Sequence, residues 1–340
     1  MSVAVSMGVA VSETAAIRLG TRRSALAQAQ SQQVADALAA VAGRPVELVP
    51  ITSEGDTNRA SLSEIGGQGI FATRLREALL AGECDLLVHS LKDLPTAEPE
   101  GLVIAATPIR EDPRDVAVTR DGTALHELRP GATVGTGSPR RIAQVHRRAP
   151  HARAVDIRGN VDSRLARVAS GELDAVILAA AGLARLGAET PLALESLGLA
   201  EWPTAPGQGA LAVETTADAP DWLRQALAEL DDEATRIAVT IEREILAGLD
   251  AGCQAPMAAH AAVTGDEVRV RAVVYQPGGD RRIGIDVTEV LNGEYIQRNG
   301  SGNGADAADG ADPMLTARRI GRSAADRLLE QGAADLLPRE

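Results

Sequence analysis

Aromatic side chains are nearly missing from this 340-residue chain: Phe71, Trp202, Trp222, Tyr275 and Tyr295 are all it has. Its cores must therefore rest on Ala, Val, Leu and Ile, and the stacking platforms that hold single-stranded nucleic acid have no faces to use. Cysteine is scarce too. Cys84 and Cys253 lie far apart in sequence and form no C-x-x-C pair, which argues against a disulfide framework and suits a reducing cytoplasm. No apolar run nears the roughly 18 residues of a membrane span. No Lys or Arg precedes Arg18, so the chain start lacks the charged region of a signal peptide, and residues 1–15 are expected to form a disordered tail on a soluble protein. A formal net charge of -13 repels nucleic acid and anionic membranes on average.

Lysine is almost absent. Of 34 basic residues, 33 are Arg (34 minus 1), and the single Lys is Lys92, beside Asp93. A genome biased toward Arg codons accounts for the excess of Arg but not for the place of the one survivor. A compact ammonium with freely turning donors differs from a planar guanidinium, so a site that needs it keeps it.

Against these absences stands a clear rhythm. Short apolar runs alternate with amphipathic stretches to about residue 215, the pattern of an α/β chain. Strands are expected at 17–20, 46–52, 85–89, 116–119, 133–135, 154–157 and 175–179, and helices at 24–42, at 70–81, from Pro139 and from Val161. After a long helical pattern from Glu233 to Ala247 come three β-like runs (258–263, 268–275, 283–290) and a helix over 315–331. Successive strands without intervening helices predict an antiparallel sheet in a separate C-terminal domain. Asn299 to Asp312, rich in Gly, Asn, Ala and Asp, reads as a flexible loop, and its spaced aspartates lack the spacing and closing Glu of a calcium loop.

Three strand–loop–helix junctions carry Arg beside a good N-cap: Arg22 with Ser24, Ser138 with Arg140 and Arg141, and Arg158 with Asn160. Each can aim free backbone N–H groups and a guanidinium at an anion. Singly they are ordinary capped helices, but between Ala132 and Gly171 eight arginines face only Asp156 and Asp162. That local balance of +6 (8 minus 2) points to a cleft for a multiply charged anion. No complete G-x-G-x-x-G and no G-x-x-x-x-G-K-[ST] is present, so carboxylates are favoured over phosphates. Asp93 follows a buried strand at the carboxyl end, where open α/β sheets place ligands. An Asp there commonly caps a turn; beside the only Lys we read it as the reactive carboxylate. His89 reads as a core histidine and Cys84 as structural. Cys253 lies in a loop of small residues, where a thiol is accessible. No Cys/His cluster supports a metal.

These segments, in this order, resemble hydroxymethylbilane synthases, also called porphobilinogen deaminases. The residues that carry the likeness are Val-His-Ser-Leu-Lys-Asp-Leu-Pro (88–95), Arg-Glu-Asp-Pro-Arg-Asp (110–115), Arg-Gly-Asn-Val (158–161), Ile-Leu-Ala-Ala-Ala-Gly-Leu-Ala-Arg-Leu-Gly (177–187), Pro-Gly-Gln-Gly-Ala (206–210) and Gly-Cys-Gln-Ala-Pro (252–256). The resemblance implies a transferase of porphyrin and haem biosynthesis that joins four porphobilinogen molecules head to tail with loss of ammonia. It implies a covalent dipyrromethane cofactor on a Cys253 thioether, Asp93 as catalytic residue, and a monomer in the cytoplasm with no nucleic-acid or membrane partner. Lys92, Ser138, Arg140, Arg141 and Arg164 would bind the cofactor; Arg22, Ser24, Arg158, Arg185 and Phe71 would bind the substrate. The implied fold has two periplasmic-binding-protein-like lobes of type II around a cleft, 16–108 with 209–231 and 109–208. A small α+β domain follows, 232–340, with a three-stranded antiparallel sheet and a loop near 296–312. Glu64 and Gln68 stand where relatives often carry Lys. A non-catalytic bilobal anion-binding protein would share the lobes and arginines but need neither Asp93 nor Cys253. A transcriptional effector-binding protein would need a helix-turn-helix segment, which is not recognisable.

Overall fold

The computed structural model describes residues 15–52, 70–188, 190–252, 255–291 and 312–338, without the side chains of residues 70 and 71. Strand β1 (Ile17–Thr21) leads into helix α1 (Ala25–Ala42), which starts where Ser24 Oγ accepts the Ala27 N–H and stops at Gly43 in the left-handed region. Strand β2 (Val46–Pro50), helix α2 (Ile70–Leu80), β3 (Leu86–Ser90) and β4 (Leu102–Ala106) continue the first lobe. The chain then crosses to β5 (Asp115–Thr119), β6 (Thr133–Gly135), α3 (Pro139–Arg148), β7 (Arg153–Val155), α4 (Val161–Ala169), β8 (Ala175–Ala179), α5 (Ala180–Leu186) and β9 (Ala193–Leu197). It returns for β10 (Leu211–Thr216) and α6 (Asp221–Ala228), and ends with α7 (Glu233–Gly248), β11 (Met257–Thr264), β12 (Glu267–Tyr275), β13 (Arg282–Val290) and α8 (Pro313–Glu330).

The two five-stranded sheets have matching orders, β2-β1-β3-β10-β4 and β7-β6-β8-β5-β9. In each, the fourth strand runs antiparallel to both neighbours, and it is the strand that follows a crossing between lobes: β5 after the first, β10 after the second. This exchange is the arrangement of type II periplasmic-binding-protein-like lobes. The C-terminal sheet β11-β12-β13 is antiparallel throughout, as its uninterrupted strands predict, and α7 and α8 cover it.

Aliphatic side chains make up most of the cores, joined by Trp202 and Tyr275. Ile17, Leu19, Leu38, Leu86, Val213 and Leu227 close one face of the first sheet, and Leu75, Leu79 and Leu87 pack on the other around Cys84. Each such side chain contributes about 1.5–3 kcal/mol by leaving water. Cys84 is buried, and burial pushes its thiol up to about 11, which fits the structural role read from sequence. His89 is buried as well, 3.2 Å from Glu214, which Arg76 also grips.

The two crossings lie against one another. Glu111 N–H donates to Gly209 O at 3.2 Å, Arg110 Nε to Gln208 O at 2.9 Å and Gln208 Nε2 to Pro113 O at 2.8 Å. Gly209 has φ +89, and a Cβ there would sit 2.5 Å from Glu111 O. Backbone strain and a contact with a fixed carbonyl add at this position. Gly209→Ala is therefore expected to destabilise the protein by roughly 3 kcal/mol, read as a lower urea midpoint with unchanged slope.

Candidate active site

Strand β3 ends at Ser90, whose Oγ accepts from Gln30 Nε2 at 2.9 Å. One 3₁₀ turn follows, Leu91–Asp93. Leu91 is buried and its N–H donates to Ala210 O at 3.1 Å, so the turn sits on the second crossing. The segment that follows the strand is thus a hydrogen-bonded turn. It leaves Asp93 exposed and Lys92 half-buried. Burial pulls the Lys92 ammonium down to about 8; Asp93 raises it, and the Arg141 charge lowers it further. Those influences place the arginines of the second lobe within electrostatic reach of the turn.

In the second lobe, α3 begins at Ser138, whose Oγ faces the Arg141 N–H at 3.5 Å, with Pro139 in the first turn. Arg140 and Arg141 follow at once, and both are buried. Arg140 NH1 donates to Asp115 Oδ2 at 2.9 Å, Gln144 Oε1 at 2.6 Å and Pro203 O at 3.3 Å. Arg141 reaches Asp115 with Nε at 3.2 Å and NH2 at 2.6 Å, and Ile177 O with NH1 at 3.1 Å. Asp115 is 0% exposed and also accepts from Trp202 Nε1 and Gln208 Nε2. Burial alone would push its carboxyl up, but the two guanidiniums outweigh it and hold it well below the usual range. The pair predicted to hold ligand carboxylates is thus anchored from behind by a protein carboxylate.

Asn160 caps α4 through the Ser163 N–H at 2.9 Å. Arg164, one turn on, donates Nε to Gly159 O at 2.9 Å, and burial together with Arg141 and Arg158 lowers its pKa. Arg158 is exposed, 3.7 Å from Asp156. Arg185 of α5 donates NH2 to Gly209 O at 2.7 Å, while its buried Nε has no partner among the described residues. Arg22 and Ser24 stand at the β1–α1 junction of the first lobe, both half-buried. Not all of the arginine-rich run turns this way: Arg147 lies by Gly279 O, Arg148 pairs with Glu201 and Arg167 with Glu172. Cys253 and the side chain of Phe71 lie outside the described residues, as do Glu64 and Gln68.

Sequence reasoning did not single out the residues that hold this arrangement together. Glu242 of α7 is 0% exposed and accepts from Arg110 NH1 (2.7 Å) and NH2 (3.0 Å), Gly207 N–H (2.6 Å) and Ala261 N–H (2.8 Å). Burial raises its carboxyl, but Arg110 and His260 bring it down to about 2. Asp115 and Gln208 sit inside segments already quoted as motifs, 110–115 and 206–210. Their burial, which gives them this role, leaves no mark on composition.

The residues suit an oligocarboxylate group. Lys92, Arg164 and Arg185 make no ion pair among the described residues, and burial depresses all three. A ligand carboxylate would supply the missing counter-charge. No group of His, Cys, Asp and Glu able to hold a metal occurs among the described residues, and none of their helices is long and apolar enough to cross a membrane.

Comparison with known proteins gives the same reading. Residues 17–224 match the family described as porphobilinogen deaminase, dipyromethane cofactor binding domain, and residues 236–330 the porphobilinogen deaminase C-terminal domain. Porphobilinogen deaminase 1 of Streptomyces avermitilis is 51% identical over 336 residues, 95% of this chain and 97% of that protein. Porphobilinogen deaminase of Leifsonia xyli is 48% identical over 337 residues, 98% of each. Among solved structures, the Bordetella pertussis BvgS VFT2 domain aligns with 63% of this chain and 86% of that one at 18% identity and a TM-score of 0.38, too slight a likeness to carry an argument. The chain belongs to the porphobilinogen deaminase family.

Proposed function

We propose that the chain is a hydroxymethylbilane synthase, a transferase that condenses four porphobilinogen molecules head to tail, releases ammonia at each addition and yields hydroxymethylbilane for tetrapyrrole and haem synthesis. The observation that carries the reading is an exposed carboxylate, Asp93 on a fixed turn, beside Lys92 and within electrostatic reach of the arginines of the second lobe, with Lys92 and Arg164 half-buried and without an ion pair among the described residues. A non-catalytic anion receptor would need the cations but not the carboxylate.

The dipyrromethane cofactor, held on Cys253 through a thioether, supplies the pyrrole carbon that accepts the first substrate unit. The residues of the chain do the rest. Lys92, Ser138, Arg140, Arg141 and Arg164 hold cofactor carboxylates; Arg22, Ser24, Arg158 and Arg185, with Phe71, receive the incoming unit. Asp93 donates a proton to the departing amine as its C–N bond breaks, then faces the cationic methylene-pyrrolenine and pyrrole N–H groups and accepts the proton lost when the new C–C bond forms. The same carboxylate serves each addition, so the growing product shifts past it. The division into 16–108 with 209–231, 109–208 and 232–340 gives each lobe one wall of the cleft and leaves the anchor to the third domain. A reducing cytoplasm fits a free, buried Cys84, and the family reading implies a monomer.

Three measurements test this. The intact mass of the purified protein should exceed the chain mass by two linked pyrrole units, and Cys253→Ser should remove the excess; an unmodified, active wild type would overturn the cofactor claim. Asp93→Asn should keep substrate binding and lose about 10²–10⁴-fold in turnover, whereas near-normal turnover removes Asp93 from the mechanism. The third concerns pH. Lys92 carries its charge below about 8 and loses it above. The affinity of cofactor-free protein for a small dicarboxylate, measured by calorimetry, should fall as pH rises through that value, and Lys92→Met should abolish that part of the pH dependence.

A further inference from the structure

Helix α7 uses two neighbouring residues on two different parts of the molecule. Glu242 holds the crossings and the C-terminal sheet through Arg110, Gly207 and Ala261. The next residue, Arg243, reaches the turn that carries Asp93: NH1 donates to Leu94 O at 3.2 Å and NH2 to Pro95 O at 2.7 Å. These are the two carbonyls that directly follow Asp93. Leu94 N–H closes the turn on Leu91 O at 3.1 Å, and Pro95 has no N–H to give. The forked guanidinium thus fixes the chain on the outgoing side of the carboxylate, and Ala210 O fixes it on the incoming side through Leu91 N–H.

We propose that Arg243 is a positioning residue for Asp93, through which the domain that anchors the cofactor also sets the place of the reacting carboxylate. This rests on the reading of Asp93 as the acid. The helix that supplies Arg243 ends at Gly248, five residues before Cys253 (253 minus 248). A displacement of α7 therefore acts on the turn through Arg243. A planar fork can serve two carbonyls at once, which a single ammonium cannot do in the same geometry. Arg243 does not face substrate in this scheme, so its loss acts on the chemical step rather than on binding.

The test uses holoenzyme, with cofactor content checked by mass. Arg243→Lys and Arg243→Ala should lose on the order of 10–100-fold in kcat, Ala more than Lys, because small misplacements of a reacting group carry penalties of that size. KM should stay within about twofold, since substrate contacts are untouched. Added guanidinium at non-denaturing concentration should restore part of the Arg243→Ala turnover. If Arg243→Ala does not fold, Arg243→Lys carries the test alone. A folded Arg243→Lys with normal kcat, or a change confined to KM or to the thermal midpoint, overturns the proposal and leaves Arg243 as a bond between domains. Full turnover in Asp93→Asn would instead overturn the acid assignment, so the two failures are distinguishable.

Discussion

Asp115 brings one negative charge to a place that water does not reach, and much of the second lobe is arranged around it. A buried carboxylate is tolerated only where cations and hydrogen bonds replace its hydration. Here two consecutive guanidiniums, the Trp202 indole and the Gln208 amide do so. The consequence is order: Arg140 and Arg141 are held in place by the protein itself, so on the proposed reading little of their rotational freedom would be lost on binding a ligand. Removing Asp115 would leave two buried cations facing each other, a more costly state than an empty site. One carboxylate bridges both guanidiniums.

The same network extends past the lobe. Gln208 joins Asp115 to Pro113 O, Arg110 joins Gln208 O to Glu242, and Glu242 joins the crossings to Ala261 in the C-terminal sheet. Two buried carboxylates and the side chains between them thus link the arginine pair, the hinge and the third domain. Gly209 lies inside that path, at a point where no side chain fits. Apolar clusters also cross between units, Val239 with Leu91 and Leu94 and Ala143 with Ala258 and Tyr275, and the polar path adds directed contacts to them.

Much of this is legible in the sequence, and the limits have physical causes. Caps and breakers set the ends of α1, from Ser24 to Gly43, and of α3 at Ser138-Pro139, because their effects are local. The strands β4 and β10 escape a reading by pattern: β4 runs half-exposed, and β10 is buried from Leu211 to Thr215 with Glu214 and Thr215 among its apolar residues, so neither shows clean alternation. Asp93 and Lys92 stand out because their pairing is a sequence neighbourhood. Asp115, Glu242 and Arg243 do not, since their roles come from hydrogen bonds across 19 to 149 positions of chain. A count of charges also cannot tell Arg164 from Arg167, although one lies half-buried by the cleft and the other pairs with Glu172 at the surface.

A cleft that must accept a chain gaining two carboxylates at every step faces a conflict, because the cations it needs repel one another when no ligand is present. Arg164 feels Arg141 and Arg158, and Lys92 feels Arg141 and Arg140, while burial disfavours both charges more strongly than these neighbours do. An acidic protein could relieve this by placing carboxylates in the cleft, but those would repel the substrate. The structure instead puts its compensating charge out of reach: Asp115 lies behind the arginine pair, fully buried, where it steadies the cations without meeting the ligand. Exposed Asp156 stands beside Arg158, and on the turn itself the exposed carboxylate is Asp93. On the proposed reading a negative group there repels the ligand's carboxylates, but the developing positive charge and the pyrrole N–H groups would favour it in the transition state more than the bound carboxylates disfavour it in the ground state. On that reading the two aspartates divide the work by depth, Asp115 holding the charge of the site in place and Asp93 acting on the charge of the reaction.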